Sequence, residues 1–420
     1  MRKLLFLISL FGLSLSAQAV EFEIYQSEYR PLQLALVMAS DEASQASGRN
    51  ISSVVRNDLT SSQSFKTLDP LSFIPTPEET LKHVDYADWR IIGANNLVVC
   101  KLTTIDTGLH VEVTVYDPFQ AKMLARNDFD RPADQARMLA HLVANFVYKT
   151  IIGVPGCFDS HILFVQKHGR EADLMYMDQD GYNLQAVGRN FTLLLSPDWS
   201  PDGRFVALNT YVGNRPRLET FDLATGARHT FGSFKGLNST PEYSPDGRYI
   251  AAALSYTGNT EIHIYDVKSG QWRQLTHSPG IDTTPTWSPD GKWIAFTSDR
   301  TGEPQIFRIP SKGGKAERIS LAANYNTSPA WSPNGERIAL ITKKNWEYAL
   351  ATVRPDGSGL RYLVTGQRVE SPAWSPNSQM VLYSAEDSGI RRVYRIPAWG
   401  GHSEAITSPN IDASDAAWSR

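Results

Sequence analysis

Cysteine is nearly missing from this 420-residue chain: Cys100 and Cys157 are the only two, and they form no Cys-x-x-Cys. Dithiol redox chemistry is therefore excluded. One bridge between them remains open, as a staple from a domain to its linker; the alternative for Cys100, in the apolar run Leu97–Leu102, is a buried thiol. Catalytic signatures are missing too. No Gly-x-Ser-x-Gly elbow occurs, because Gly401-His402-Ser403-Glu404-Ala405 fails at its last position. The nine histidines are scattered, without His-Glu-x-x-His or any other metal-ligand spacing, and no glycine-rich loop is built to cradle phosphate. Asp178-Gln179-Asp180-Gly181 begins like a calcium loop but lacks the later Glu, and reads as a turn. The sequence thus predicts no enzyme, no cofactor and no metal. The formal charge of −3 gives no reason to expect nucleic acid or an anionic membrane as partner.

Long apolar runs are absent as well, with one short exception. Arg2 and Lys3 precede Leu4–Leu15, and Ala17-Gln18-Ala19 follows as a small-x-small site. The run is too short to span a membrane and has the three regions of a secretory signal. Residues 1–19 are read as a signal peptide cut after Ala19, leaving Val20 as the mature N-terminus. A soluble exported product is expected.

What the chain does have is a ruler. An aromatic residue followed by Ser recurs at Trp199, Tyr243, Trp287, Trp331, Trp374 and Trp418, at steps of 44 or 43 residues. Within one period the strand signals are Ser239–Tyr243, Arg248–Tyr256, Glu261–Val267 and Gln271–Thr276, separated by turn chemistry. Ser-Pro-Asp-Gly at 244–247 is a turn by mechanism, since Pro presets φ and Gly accepts a positive one. Asn334-Gly335 repeats it, whereas Asn377-Ser378 departs and predicts a looser turn. Four short strands per 44 residues, without a helical period, fit a β-propeller blade. The repeated Trp reads as packing between blades.

The ends of the array say how it closes. His161–Gln166, Asp173–Met177 and Asn183–Val187 match the last three strands of a blade whose first strand is missing. The chain's last aromatic-Ser pair, at Trp418, is a first strand with nothing after it. Together they complete a sixth blade, which removes an exposed sheet edge.

Residues 20–155 have a different texture. Strands are expected at Val20–Tyr25, Leu32–Met38, Phe65–Leu68, Asn96–Thr103, Leu109–Tyr116 and Lys122–Arg126. Helical spacing marks Gln45–Thr60 and Ala133–Thr150, and Thr76-Pro77-Glu78-Glu79 marks a helix start. The expected architecture is an α/β domain over 20–155 followed by an all-β six-bladed propeller over 156–420.

An exported α/β domain followed by six Trp-Ser-Pro-Asp-Gly-type blades resembles the TolB family of the Tol-Pal system. Gly153–Ile162 at the junction, Ser269–Thr276, and Pro285-Thr286-Trp287 with Ala295–Asp299 carry the likeness further. The resemblance implies a periplasmic docking protein that supports outer-membrane integrity and cell division. Its implied partners are the lipoprotein Pal at one mouth of the ring, the inner-membrane protein TolA at the mature N-terminus, and other outer-membrane proteins. Contact with membranes would be peripheral, through protein partners.

By position, the TolA segment falls on Val20, Glu21, Phe22, Glu23, Ile24 and Tyr25. Its alternation suits strand addition to a partner's sheet edge; an ordinary edge strand of the first domain is the other reading. The Pal face falls on the loops entering each first strand: Leu237, Asn238, Ser239 and Thr240; Asp282, Thr283 and Thr284; Asn326, Thr327 and Ser328; Glu370 and Ser371; Ser414 and Asp415. Ser196 stands at the matching place in the first complete period. Convergent hydroxyls and amides there suit a docking partner, although polar loops also simply cap strands. Leu237 stands where a polar or aromatic residue is usual. Asp282, Glu370 and Asp415 raise the separate idea of a cation in the mouth. Two other classes stay open: a propeller lectin or ligand-binding receptor, and an exported hydrolase with an unrecognised constellation.

Overall fold

The computed structural model describes residues 30–420 apart from Ala322 and Gln367. The expected signal peptide and the segment Val20–Tyr25 lie outside the described residues.

The first unit is a five-stranded sheet with helices on both faces. β1 (Leu32–Ser40) is nearly continuous apolar sequence and lies inside the sheet, parallel to the short β2 (Phe65–Thr67) and to β3 (Asn96–Ile105). β3 continues antiparallel through β4 (Gly108–Asp117) to β5 (Lys122–Arg131), giving the order β2-β1-β3-β4-β5. β5 runs five residues past its expected end, because its outer half is a polar edge without apolar alternation.

α1 (Gln45–Ser61) and α4 (Ala136–Ile152) pack side by side on one face. Ile51, Val55 and Leu59 meet Leu139, Val143 and Val147 in one core with β1, β3 and β4. The other face is covered by α2 (Pro77–Lys82) and α3 (Tyr86–Ile91), with Trp89 fully buried against Ala35 and Val37. At the helix start expected there, the Thr76 and Glu79 side chains close a capping box on α2. α3 was not legible: six residues are too few to show a helical period.

The remaining chain forms six four-stranded blades, here numbered one to six with strands A to D from the channel outward. Blade three is typical, with A Asn238–Tyr243, B Tyr249–Leu254, C Glu261–Asp266 and D Gln271–Gln274. Blade one joins the two ends of the array. Its A strand, Asp412–Trp418, pairs antiparallel with His161–His168, which leads to Glu171–Asp178 and Gln185–Phe191. The predicted closure is therefore the one observed.

The aromatic-Ser pair holds the array by a repeated set of bonds. In blade three the Ser244 amide donates to the Tyr249 carbonyl at 2.8 Å, and the Tyr249 amide donates back to Ser244 Oγ at 2.9 Å. At the closure the same two bonds join residues far apart in sequence. The Ser419 amide donates to the His161 carbonyl at 2.8 Å, and the His161 amide donates to Ser419 Oγ at 2.9 Å. The indoles bridge blades, as expected. Trp199 Nε1 donates to the Ala417 carbonyl at 3.1 Å, Trp287 to Glu242 at 3.2 Å and Trp374 to Ala330 at 2.9 Å. Trp331 and Trp418 differ: Trp331 turns back on the Gly335 carbonyl of its own turn, and Trp418 Nε1 donates to Ser160 Oγ of its own blade at 2.7 Å.

One expectation is corrected and one open alternative is decided. The Asn377-Ser378 turn is not looser: the Ser378 amide donates to the Ser375 carbonyl at 2.9 Å, as Gly247 does to Ser244. Ser378 adopts φ 61° and so takes the place of the glycine. The bridge between the cysteines is not formed. Both thiols are free and buried in separate cores, Cys100 under α1 and α4, Cys157 between blades six and one.

Candidate functional site: the two faces of the ring

Each A strand starts at one mouth of the channel and runs to the other, so every blade presents its D–A and B–C loops at the first mouth. The A–B and C–D turns lie at the opposite end. The α/β unit seats on that opposite end. α1 carries Asp58, whose Oδ1 accepts from Gln179 Nε2 in the blade-one C–D turn at 3.1 Å. Gln179 in turn accepts from Arg395 of blade six at 3.2 Å, and Arg395 pairs with Glu404 at 2.9 Å. Arg137 pairs with Asp180 and lies over the Tyr182 ring at 3.9 Å. Gln63 exchanges two bonds with the His402 backbone.

Behind this contact sits a buried pair, His141 Nδ1 and Asp58 Oδ2 at 2.7 Å. Burial pushes the Asp58 carboxyl up to about 6, against the His141 hydrogen bond and charge. Burial opposes charge on His141 too, but the Asp58 hydrogen bond and the Asp58 and Asp180 charges outweigh it and raise its pKa. Asp58, His141 and Asp180 are close enough to hold a metal ion. The first two already face each other and the third faces Arg137, which accounts for their approach without one; His141 Nε2 is buried without a hydrogen-bond partner.

The first mouth carries no such cover among the described residues. Six residues ring it, one per blade: Ser196, Thr240, Thr284, Ser328, Ser371 and Asp415, all lining a channel of about 520 Å³. All six have φ between 47° and 54°, and the A–B register shifts across this position. A left-handed Thr or Ser is strained, roughly 1–2 kcal/mol each by the general cost for an L-residue. The bulge that imposes it places one Ser, Thr or Asp of each blade at the mouth. Thr240 Oγ1 has no hydrogen-bond partner. Thr284 and Thr297 share a bond of 2.7 Å, and Ser371 donates to Asp415 at 3.4 Å. Burial, then the Asp415 charge, raises the Glu370 carboxyl.

The ring sorts the residues expected there. Ser239, Thr283, Thr327, Glu370 and Leu237 are partly exposed beside the mouth, with Leu237 also packing on the core between blades three and four. Four others are buried and serve the scaffold. Asn238 bridges its own loop through bonds with Phe234 and Gly236. Asn326 does the same with Ala323 and Gln305. Asp282 pairs with Arg300 at 2.7 Å inside blade four, and Ser414 donates to Asp415. Asp282 therefore does not face the mouth with Glu370 and Asp415, which removes one of the three carboxylates from the cation idea.

Sequence reading passed over the next channel position, two residues before each aromatic-Ser pair's Ser. Asp198 accepts from the Tyr243 amide at 2.7 Å, Glu242 from the Trp287 amide at 2.8 Å, and Thr286 from the Trp331 amide at 3.2 Å. The other three blades carry Ala330, Ala373 and Ala417, so half the channel wall is polar and half apolar. Burial, then the Asp198 charge, pushes Glu242 up to about 8; burial also raises Asp198, which Arg420 partly offsets at 3.5 Å. The signal was present in the ruler, but only alignment of all six blades isolates it.

Known proteins share this architecture. A TolB β-propeller domain model matches residues 148–420, and a TolB amino-terminal domain model matches 20–124. The chain is 35% identical over 191 residues to the Tol-Pal system protein TolB of Chromobacterium violaceum, covering 45% of this chain and 44% of that one. With the Tol-Pal system protein TolB of Roseobacter denitrificans it shares 33% over 246 residues, 56% of each. The chain thus spans about half the length of the curated relatives it matches. The crystal structure of TolB from Acinetobacter baumannii superposes with a TM-score of 0.85 at 28% identity, over 93% of this chain and 96% of that one. The chain belongs to the TolB family.

Proposed function

We propose that this chain is a non-enzymatic periplasmic docking protein of the Tol-Pal system. In this reading residues 1–19 are removed after Ala19, 20–155 form the amino-terminal domain and 156–420 the propeller. A Pal-type lipoprotein docks on the first mouth, and residues 20–25 add as a strand to TolA. One observation carries the reading: the α/β unit covers one end of the ring and leaves the mouth lined by six strained residues free for a partner. The partly exposed Ser239, Thr283 and Thr327 beside the mouth suit hydrogen bonding to a protein surface.

Calorimetry with the soluble domain of the lipoprotein tests this. Thr240→Arg and Thr284→Arg are expected to weaken binding by more than about 30-fold, the loss of a central contact, with the ring still folded by circular dichroism. Binding unchanged in both variants overturns the assignment of the mouth. Deletion of residues 20–27 is expected to abolish TolA capture while leaving the lipoprotein bound.

A further inference from the structure

Several exposed apolar side chains of the propeller lie on the first mouth's face, while Tyr182, Leu184 and Val267 are exposed at C–D turns of the opposite end. Val212 and Tyr256 lie in B–C connections, Ile281 and Leu321 in D–A loops, and all are at least 42% exposed. The extreme case is Trp346, 96% exposed at the tip of the blade-five B–C hairpin. Strand B (Ile338–Lys344) and strand C (Glu347–Val353) pair up to Lys344 opposite Glu347, which leaves Asn345-Trp346 as a two-residue turn. Both residues have positive φ, 49° and 72°. Such a turn calls for Asn-Gly, and a bulky side chain at its second position is strained.

The repeat shows what would have been easier. At the position matching Trp346 on the ruler, blades three, four and six carry Gly258, Gly302 and Gly389, all with positive φ and open space around the absent Cβ; of these only blade six shares the two-residue turn, and blades one and two carry Arg170 and Asn214 there. Blade five alone puts the largest side chain there. Trp346 packs on no core and stabilises no turn, so neither folding nor packing accounts for it.

Its surroundings describe a partner. Lys343 Nζ lies 4.5 Å over the Tyr325 ring and 5.2 Å from that of Tyr348, and the two rings meet edge to face at 6.0 Å. Lys344 lies 4.5 Å over Tyr362. Glu347 is the one acid on the hairpin tip, against two lysines. Thr342 Oγ1 donates to the Tyr325 carbonyl at 2.9 Å, tying this hairpin to the loop that enters strand A of the same blade. The aromatic-basic rim is therefore continuous with the mouth.

We propose that Trp346, with Lys343 and Tyr348, is a second anchor for the protein docked on the mouth, receiving an acidic patch with an apolar centre. The proposal rests on the mouth reading above. A bilayer fits less well: the mouth beside the rim carries Glu370 and Asp415, and the chain's net charge of −3 disfavours anionic lipid. Exposed Trp and Tyr rings with a basic fringe match the composition of protein-interface anchors.

The test is calorimetric titration of the full mature protein with the lipoprotein's soluble domain, comparing wild type, Trp346→Gly and Thr284→Arg. Trp346→Gly installs the residue that blades three, four and six carry, so the fold is expected to melt at the same or a higher temperature. Its Kd is expected to rise about tenfold or more, and Lys343→Glu is expected to slow association in low salt. Loss of binding in Thr284→Arg with an unchanged Kd in Trp346→Gly overturns the second anchor and leaves the mouth reading intact. Unchanged binding in both variants overturns both. Co-sedimentation with phosphatidylglycerol–phosphatidylethanolamine vesicles supplies the other arm. Vesicle binding that is lost in Trp346→Gly while the lipoprotein Kd stays constant assigns the rim to membrane and overturns the proposal.

Discussion

At the end of the ring bearing the A–B and C–D turns, every charge brought out of water meets a partner. Asp58 lies against His141 and Gln179, Arg137 against Asp180, and Arg395 against Glu404 and Gln179. At the other end the chain does the reverse. It holds the six ring residues in left-handed conformation and turns apolar side chains such as Leu321 and Trp346 to water. An interface made within the chain can satisfy its polar groups on folding. The open end instead carries backbone strain, at a cost to the free protein. The difference separates an end closed by contacts within the chain from an end that no described residue covers.

Changes at the two ends should therefore have opposite consequences, once the ring they share is intact. The largest effect is expected from removing 412–420. That takes out the A strand of blade one, exposes both sheet edges and unpacks Trp418 and Ala413 from between blades one and six. Cooperative unfolding of the ring should be lost by calorimetry; an unchanged melting temperature would show that closure contributes nothing to either face.

Next comes Asp58→Ala at the joint. It strands His141 and Gln179 in a buried site, and breaking a buried charged pair costs about 3–5 kcal/mol. Chemical denaturation should show that loss, with the α/β unit melting ahead of the propeller.

The same pair predicts a pH trend of similar or smaller size. Asp58 is raised from the ordinary 3.8 to about 6, and His141 is raised above 6.5. A group whose folded pKa is raised stabilises the fold fully below its unfolded value and ceases to do so as pH passes its folded value. The joint should thus be firmest in mild acid and weaken as pH rises through about 6 and beyond neutrality. The melting temperature of wild type relative to Asp58→Asn, followed from about pH 5 to about pH 9, should fall. A flat difference would detach the pair from docking.

The smallest effect is expected at the mouth, with the opposite sign. Ser328→Gly removes the left-handed strain of an L-residue, set against the greater freedom of glycine in the unfolded chain. The free protein should gain between zero and about 1 kcal/mol, measured by urea unfolding. A loss above that range would mean the Ser328 side chain is structural and would blur the contrast between the faces.

Much of the fold was legible because its signals are periodic. The ruler located all six A strands and the split blade, since each aromatic-Ser pair makes the same turn bonds wherever it occurs. The long helices showed their apolar faces. α3 and the outer half of β5 did not, being too short or too polar to carry a period. The candidate site was half legible. Loop position found Thr240, Thr284, Ser328 and Ser371, but it grouped with them Asn238, Asn326, Asp282 and Ser414, whose side chains turn inward. A polar residue in a loop looks the same in sequence whether it faces a partner or fastens its own backbone.

By itself the sequence determined the blade, its count and its closure, because a repeated local pattern needs only neighbouring residues to be read. Tertiary structure decided which residues face water. It set the bulge that turns one residue per blade into the mouth, the separate burial of Cys100 and Cys157, and the pairing of Asp58 with His141. These depend on residues far apart in the chain meeting in three dimensions, where packing and desolvation, rather than local propensity, choose the partner. Trp346 lies between the two: its left-handed place is visible in the ruler once the blades are aligned, but only the folded ring shows that no described residue covers it.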